Sequence, residues 1–168
     1  MIASRTAENH GTRKNTEETP NLSTIHVEEP LSHHRYELQP IGWVQSALVD
    51  RAAAPKQGNE GAPDAWLAFE PRFGEGLRDL QVGEDVIVLT WLDRAARDVL
   101  AVHPRGNAAN PLQGVFSTRS PDRPNPIGLH RVQILAIEGN RIHVSDMEAL
   151  DRTPIVDLKP VLDREHER

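Results

Sequence analysis

Three prolines within six residues constrain this chain more than any other feature of its sequence. Pro121, Pro124 and Pro126 lie in the stretch GVFSTRSPDRPNPIGL at residues 114–129. Each proline fixes its own φ angle, lacks a backbone donor and restricts the preceding residue to extended conformations. The segment therefore cannot form a helix or a central strand. We predict a stiff loop that is entered from a short apolar strand at residues 114–117 and leads into a second strand.

A stiff loop holds its polar side chains in place, so little conformational entropy remains to be lost when a ligand binds. Arg119, Arg123 and Asn125 lie in this loop and are candidate binding residues. Alternatively, these side chains brace the loop through hydrogen bonds to backbone carbonyls.

The charge of the chain is unevenly distributed. The 168 residues carry a net charge of −6, but residues 94–131 contain six arginines and only two acidic residues. A local basic region on an acidic protein attracts a polyanion to one surface while the remainder repels it. This distribution favours local contact with nucleic acid over general nucleic-acid binding. The alternative is that the arginines only solvate a strand-rich surface.

The composition excludes several classes of protein. The chain has no cysteine, which excludes disulfides, thiolate nucleophiles and cysteine-bound metals. No apolar run approaches the roughly 20 residues of a membrane-spanning helix, and the first residues lack the basic-then-apolar order of a secretory signal. We expect a protein without a metal or membrane contact, located in the reducing cytoplasm.

The hydrophobic pattern divides the chain into a folded part and two tails. Residues 1–35 contain no aromatic residue and are rich in Glu, Thr, Asn and His, which predicts a disordered polar tail. Residues 36–162 form the predicted folded domain, and residues 163–168 form a charged C-terminal tail.

Short apolar segments at close spacing predict about seven β-strands in the folded domain. Residues 86–92, 99–103 and 141–144 are examples, the last entered by a two-residue turn at Gly139 and Asn140. Strands without alternating helices indicate a barrel or a sandwich rather than a doubly wound sheet.

Helical patterns are few and short. We predict single helical turns near residues 77–80 and 94–98. The fold class is therefore mainly β.

The proline-rich stretch resembles the signature G-V-F-[SA]-T-R-S-x-x-R-P-N-P-I-G of the TsaA-like family, which includes the TrmO-type tRNA methyltransferases. The match is unbroken from residue 114 to residue 128. A second segment, residues 149–160, is similar to the family's L-D-x-x-D-G-T-P-[VL]-x-D-I-K-P-Y. The resemblance covers about residues 36–162. It implies a small closed or partly open β-barrel of about seven strands with few short helices.

The resemblance also implies a cofactor and an activity. The cofactor is S-adenosylmethionine, which this family holds on the barrel without a glycine-rich dinucleotide fingerprint. The implied reaction is methylation at N6 of threonylcarbamoyladenosine next to the anticodon of tRNA. Two alternatives stay open: a non-catalytic sensor that binds S-adenosylmethionine, and a methyltransferase that acts on a non-RNA small molecule.

The matching segments imply which residues form the site. Cofactor contacts are expected from seven residues: Asp93, Arg94, Arg119, Leu129, Asp151, Arg152 and Thr153. Substrate contacts are expected from three others: Arg105, Arg123 and Asn125. Asp151 is also the candidate catalytic residue, as the acceptor of a proton or of the cofactor's amine. The alternative for Asp151 is a turn aspartate that bonds to the backbone.

Two positions depart from the family pattern. Arg152 stands where the family has glycine, so it either strains that turn or points outward at the rim of the pocket. Asp93 stands where many members have a histidine after the central strand.

Some family members carry a further C-terminal domain, which this sequence does not show before Arg168. We therefore expect a homodimer that pairs the basic faces of two copies.

Overall fold

The structure is a computed structural model that describes residues 36–162. The tails predicted at residues 1–35 and 163–168 lie outside the described residues. The described part contains eight strands: β1 (Gly42–Gln45), β2 (Ala65–Phe69), β3 (Asp85–Trp91), β4 (Ala101–Val102), β5 (Gln113–Gly114), β6 (Ile127–Glu138), β7 (Arg141–Val144) and β8 (Pro154–Pro160). It also contains four short 3-10 helices: Gly58–Glu60, Pro71–Leu77, Pro104–Gly106 and Val115–Ser117.

Six of the strands close into a barrel in the order β1–β2–β7–β6–β3–β8. Each neighbouring pair is antiparallel. The remaining strands, β4 and β5, form a separate two-stranded ribbon. The predicted mainly β barrel with few short helices is thus confirmed, with six strands in the ring and two in the ribbon.

The barrel core follows from the alternation of side chains along the strands. In β3 every second residue is buried, and in β6 the buried positions begin at Gly128 and continue to Ile134. Because successive strand residues point to opposite faces, these positions fill the barrel while their neighbours face outward. The core is built of Val, Ile, Leu and Ala side chains with Phe69 and Met147.

The register between β3 and β6 brings together two buried polar residues of this otherwise apolar core, Thr90 and His130. Thr90 pairs with Gly128, and Val88 pairs with His130. Thr90 and His130 are both buried. Because Gly128 has no side chain, the Thr90 side chain has room beside His130 at the end of the barrel.

The predicted hairpin turn is confirmed. Glu138 pairs with Arg141 across Gly139 and Asn140, and Gly139 has a φ of +59°. A positive φ at this position favours glycine.

The predicted entry strand at residues 114–117 is wrong beyond Gly114. Val115–Ser117 is a 3-10 turn, because local donors turn the chain back on itself. The Ser117 hydroxyl donates to the Gly114 carbonyl at 2.7 Å, and both the backbone and the hydroxyl of Thr118 donate to the Val115 carbonyl.

The predicted strand at residues 99–103 is also shorter than expected. Only Ala101–Val102 pairs, because Pro104 starts a 3-10 turn immediately afterwards.

Of the two predicted helical turns, the one at residues 77–80 is present and the one at residues 94–98 is wrong. Residues 94–98 form turns and bends only, since the Ala96 amide donates to the Asp122 carboxylate at 2.9 Å instead of to a helical carbonyl. At residues 77–80 the Leu80 amide donates to the Leu77 carbonyl at 3.2 Å, and this turn directly follows the 3-10 helix Pro71–Leu77, where Pro71 provides the preset first residue.

Candidate functional site

A cleft of about 1060 Å³ lies at the end of the barrel where β3 ends and β6 begins. Its floor includes the first residues of β6 together with Glu148, Ala149, Leu150 and Thr153. Its walls come from residues 51–57, residues 92–95 and the proline loop, and the β4–β5 ribbon contributes Val102 and Gln113. The two segments singled out in the sequence therefore meet at one cleft.

Arg123 holds the proline loop in its conformation. Its Nε donates to the Ser120 carbonyl at 2.7 Å, and its Nη2 donates to the carbonyls of Val115 and Thr118 at 3.1 and 2.6 Å. Three bonds from one planar guanidinium fix a segment whose prolines cannot form a ladder of their own. These contacts favour the bracing alternative for Arg123.

A second contact ties the proline loop to the opposite wall of the cleft. The Asp122 carboxylate accepts from Arg51 at 2.6 Å and from the Ala96 amide at 2.9 Å. The hydrogen bond from Arg51 lowers the pKa of the Asp122 carboxyl, against the smaller opposing effect of burial. Asp122 is therefore a stable carboxylate that joins three segments around the cleft.

A buried polar chain reaches the floor of the cleft. Nε2 of His130 lies 2.9 Å from the Thr90 hydroxyl, and Nδ1 lies 2.9 Å from a carboxylate oxygen of Glu148. Nδ1 and the carboxylate oxygen are in close contact, although the Nδ1 position is not aligned with that oxygen as in an ideal hydrogen bond. The side chains of His130 and Glu148 are 5% and 19% exposed, and both residues line the cleft. Sequence reasoning missed all three residues.

Two opposing effects act on the Glu148 carboxyl. Burial raises the pKa of Glu148, but contact with His130 and a smaller contribution from Arg119 outweigh it, so the pKa falls below its ordinary value. Glu148 is therefore an anion near neutral pH.

Seven of the ten predicted site residues line the cleft: Asp93, Arg94, Arg105, Arg119, Arg123, Leu129 and Thr153. The other three do not: Asn125, Asp151 and Arg152. The cleft thus collects residues from both matching segments, but it omits the candidate catalytic residue.

Asp151 is engaged in a turn contact. Its carboxylate accepts from the Ser46 amide at 3.1 Å, and its backbone amide donates to the Leu48 carbonyl at 2.6 Å. Its own carbonyl accepts from the Arg94 guanidinium at 3.1 Å. This geometry favours the alternative in which Asp151 bonds to backbone.

Arg152 shows both outcomes expected where the family has glycine: a strained turn and a side chain that points outward. Its φ of +64° lies in the left-handed region, and its side chain is 86% exposed. Its backbone amide is used, because it donates to the Val44 carbonyl at 2.7 Å. The turn is therefore kept at the cost of strain, and the guanidinium points into solvent.

Most arginines of the basic region have partners within the molecule. Arg105 pairs with Glu60 at 2.5 Å, Arg131 pairs with Asp85 at 2.7 Å, and the Arg97 guanidinium lies over the Trp91 ring. Among the six, Arg119 is the one without a hydrogen bond, ion pair or aromatic contact to any residue in the range 36–162.

The described residues contain neither a cluster suited to a metal nor a helix suited to a membrane. Residues 36–162 hold no group of three His, Asp or Glu side chains arranged to bind a metal. Over the same range, no helix has the length and apolar character needed to cross a bilayer.

Comparison with known proteins relates this chain to a family. Residues 43–165 match the model of the family described as the tRNA-methyltransferase O N-terminal domain. An S-adenosyl-L-methionine-binding protein of Archaeoglobus fulgidus is 43% identical over 122 residues, which cover 73% of this chain and 86% of the relative. A probable S-adenosyl-L-methionine-binding protein of Methanothermobacter thermautotrophicus is 37% identical, with 77% of this chain and 93% of the relative covered.

Solved structures agree with the sequence relatives. The crystal structure of TrmO from Pseudomonas aeruginosa superposes with a TM-score of 0.64 at 27% identity, over 82% of this chain. The match covers 59% of the TrmO chain, so this chain spans about three fifths of that protein. Sequence and structure together assign this chain to the family of the tRNA-methyltransferase O N-terminal domain.

Proposed function

We propose that this protein is an S-adenosylmethionine-dependent methyltransferase that modifies tRNA, at N6 of threonylcarbamoyladenosine beside the anticodon. One observation carries the proposal: both segments that match the family border a single cleft at the end of the barrel. A tRNA substrate also implies action in the cytoplasm.

The cleft has the chemistry that S-adenosylmethionine requires. Phe116, Ile127 and Leu129 line it with apolar side chains that are 79, 46 and 43% exposed, which suits the faces of a nucleoside. Arg119 offers a guanidinium without a partner inside residues 36–162, which suits a carboxylate. Nδ1 of His130 is buried without a hydrogen bond, so the polar floor is incomplete as it stands.

When bound, S-adenosylmethionine supplies a methyl group on a positively charged sulfur, which is transferred by in-line displacement. The contribution of this chain is to hold the methyl acceptor in line, since positioning supplies much of the acceleration in such reactions. The proline loop suits that role because Arg123 and Asp122 fix it from both sides.

The substrate contacts proposed for Arg105 and Asn125 need exposed side chains, and Arg105 would exchange its ion pair with Glu60 for the substrate. Both residues are exposed, and Arg105 lines the cleft. A guanidinium and an amide suit the phosphates, the carbamoyl carboxylate and the base edge of the proposed nucleotide. The ureido N–H of that nucleotide loses its proton more readily than a plain exocyclic amine, which lessens the need for a strong base.

The proposal is tested with labelled S-adenosylmethionine and two pools of total tRNA, from cells able or unable to make threonylcarbamoyladenosine. Label in the first pool alone is the expected result. Label in both pools would shift the site to another nucleotide, and label in neither would contradict methyl transfer to tRNA.

A second candidate function is a sensor that binds the cofactor without turnover. Arg152 favours it, because a strained, charged residue replaces the family's glycine beside the cleft. Arg152→Gly separates the two functions: a large gain in methyl transfer means that arginine inhibits turnover, and unchanged transfer leaves the sensor without support.

A methyltransferase that acts on a small molecule is separated from both by the salt dependence of tRNA affinity. Phosphate contacts weaken steeply with added salt, whereas binding of a neutral small substrate does not.

A further inference from the structure

We propose that Glu148 and Arg119 together bind the amino-acid end of S-adenosylmethionine, with Glu148 receiving the ammonium group and His130 and Thr90 positioning its carboxylate. This inference rests on the proposed function, because it assigns residues to the same cofactor. It replaces Asp151 as the acceptor of the cofactor's amine.

Glu148 is a carboxylate whose bonding capacity is largely unused. An ionised carboxylate accepts about four hydrogen bonds. Within residues 36–162 its contacts are Nδ1 of His130, at 2.9 Å, and its own backbone amide, which leaves acceptor positions open. Since the side chain is only 19% exposed, water cannot solvate it as it solvates a surface carboxylate. A ligand with several N–H donors on a positive charge would complete this site.

His130 and Thr90 fix where that carboxylate points. A proton on Nδ1 of His130 is the assignment that avoids two acceptors facing each other at 2.9 Å. Nε2 then accepts from the Thr90 hydroxyl, also at 2.9 Å. Because Thr90 is fully buried and His130 nearly so, the imidazole cannot rotate away from Glu148. The chain from Thr90 through His130 therefore orients the anion from inside the barrel.

Arg119 supplies the opposite charge. It lines the same cleft as Glu148, and its charge helps to lower the Glu148 pKa. The two side chains do not form an ion pair with each other, so both charges remain open to a ligand. A cation and an anion side by side at one cleft match the carboxylate and ammonium groups of an α-amino acid.

The other carboxylates around the cleft are less suited to this role. Asp122 is held by Arg51 and the Ala96 amide, and Asp151 is held by the Ser46 amide and does not line the cleft. Asp93 lines the cleft but is exposed to water at its rim. Glu148 combines burial, charge and open coordination.

Calorimetric titration of the full chain with three ligands tests the assignment. S-Adenosylmethionine and S-adenosylhomocysteine both carry the amino-acid end, whereas 5′-methylthioadenosine lacks it. Glu148→Gln should weaken the first two by a similar factor of about 10 to 100, as expected for a lost charged hydrogen bond. It should leave 5′-methylthioadenosine within about twofold, since that ligand has no group for Glu148.

Arg119→Gln should show the same selective loss, and Glu138→Gln on the exposed end of β6 is the control for charge removal. His130→Leu should reproduce the Glu148→Gln pattern, and His130→Asn, which restores a donor near the Nδ1 position, should recover part of the affinity. Thermal melts of each variant identify any that fail to fold, in which case the Glu148→Gln result decides.

The possible outcomes distinguish this assignment from the proposed function. Undiminished binding of S-adenosylmethionine by Glu148→Gln overturns the assignment alone. A loss confined to S-adenosylmethionine would mean that Glu148 faces the sulfonium, and an equal loss for all three ligands would mean a structural role; either result also overturns it. No binding of S-adenosylmethionine by the unaltered protein contradicts the proposed function and this assignment together.

Discussion

Gly128 is the residue that allows the buried contact between Thr90 and His130. A Cβ atom at this position would lie 2.6 Å from Nε2 of His130 and closer still to the Thr90 hydroxyl. Extra atoms in a packed interior force side chains out of their rotamers, so Gly128→Ala should lower the free energy of unfolding by about 1–3 kcal/mol. Chemical denaturation measures this change.

Gly76→Ala is the matched control, because a Cβ at Gly76 meets nothing within 4 Å. Equal unfolding free energies for the two variants would show that the floor of the cleft adapts to an added methyl group.

Arg152 carries backbone strain, and within residues 36–162 the one polar contact of its side chain is a 3.7 Å approach of Nε to the Asp151 carboxylate. A φ of +64° costs an L-residue roughly 1 kcal/mol, and glycine avoids this cost. Arg152→Gly should therefore unfold with a free energy about 1 kcal/mol higher than Arg152→Ala, which removes the charge but keeps the Cβ atom. Urea denaturation of both variants measures the difference, and identical values would rule out strain at this turn.

The residues of the site were only partly predictable, for physical reasons that His130 illustrates. The proline loop could be predicted because the φ restrictions of its prolines are local and can be read from the sequence. His130 and Thr90 lie on different strands, and they meet only because the β3–β6 register puts Thr90 opposite Gly128. The available signal was a histidine at an inward position of a strand that continues with Val132 and Ile134.

The proline loop is an element whose stability depends on one side chain. Arg123 donates to the carbonyls of Val115, Thr118 and Ser120 through a planar fork that lysine cannot reproduce. Arg123→Lys should increase amide hydrogen exchange in residues 115–126 and reduce the free energy of unfolding by about 1–3 kcal/mol.

Arg131→Lys is the control for the loss of a guanidinium, because Arg131 makes an exposed ion pair with Asp85 that contributes little. If Arg131→Lys also speeds amide exchange in the proline loop, the effect of Arg123→Lys is a general destabilisation and not the loss of its contacts to the loop.

The contact between the proline loop and the wall at residues 51–57 should depend on pH. The hydrogen bond from Arg51 lowers the pKa of Asp122 below the value of 3.8 that it has without these contacts. A lowered folded-state pKa stabilises the protein above the unfolded pKa, and this contribution is lost as the pH falls through the folded-state pKa.

The unfolding free energies of the unaltered protein and Asp122→Asn should thus differ by a constant amount near neutral pH and converge below pH 3.8. A difference that persists undiminished in acid would show that Asp122 acts without its charge.

At the scale of elements, the sequence predicts strands better than the segments between them. Strand β3 shows its buried alternation directly, and the Gly139–Asn140 turn requires only local chemistry. By contrast, the turn at Val115–Ser117 and the absence of a helix at residues 94–98 depend on side-chain hydrogen bonds. The Asp122 bond that prevents the helix joins residues 26 positions apart, which no local pattern reveals.

At the scale of the whole barrel, residues 36–162 offer fewer unpaired guanidinium groups near the cleft than the arginine count indicates. Arg105 and Arg131 are paired with acids, while Arg94 and Arg123 donate to backbone carbonyls. Among the cations that line the cleft, Arg119 and Lys56 are the two without a partner within residues 36–162. Two copies with adjoining clefts would present a broader basic surface, and this argument supports the homodimer expected from the sequence.

The same region also leaves apolar surface uncovered, which gives the homodimer a physical basis. Leu100 and Leu112 flank the β4–β5 ribbon, and their side chains are 65 and 63% exposed. Burying such side chains against a second copy contributes about 25 cal/mol per Å². Sedimentation at micromolar protein should therefore give twice the mass of one chain, and Leu112→Glu should reduce the measured mass to that of a single chain.

Val82→Glu is the control, because Val82 is 61% exposed near the opposite end of β3 and its substitution should leave the dimer intact. A monomer mass for the unaltered protein would contradict the dimer and leave each cleft to bind its substrate with the charges of a single copy.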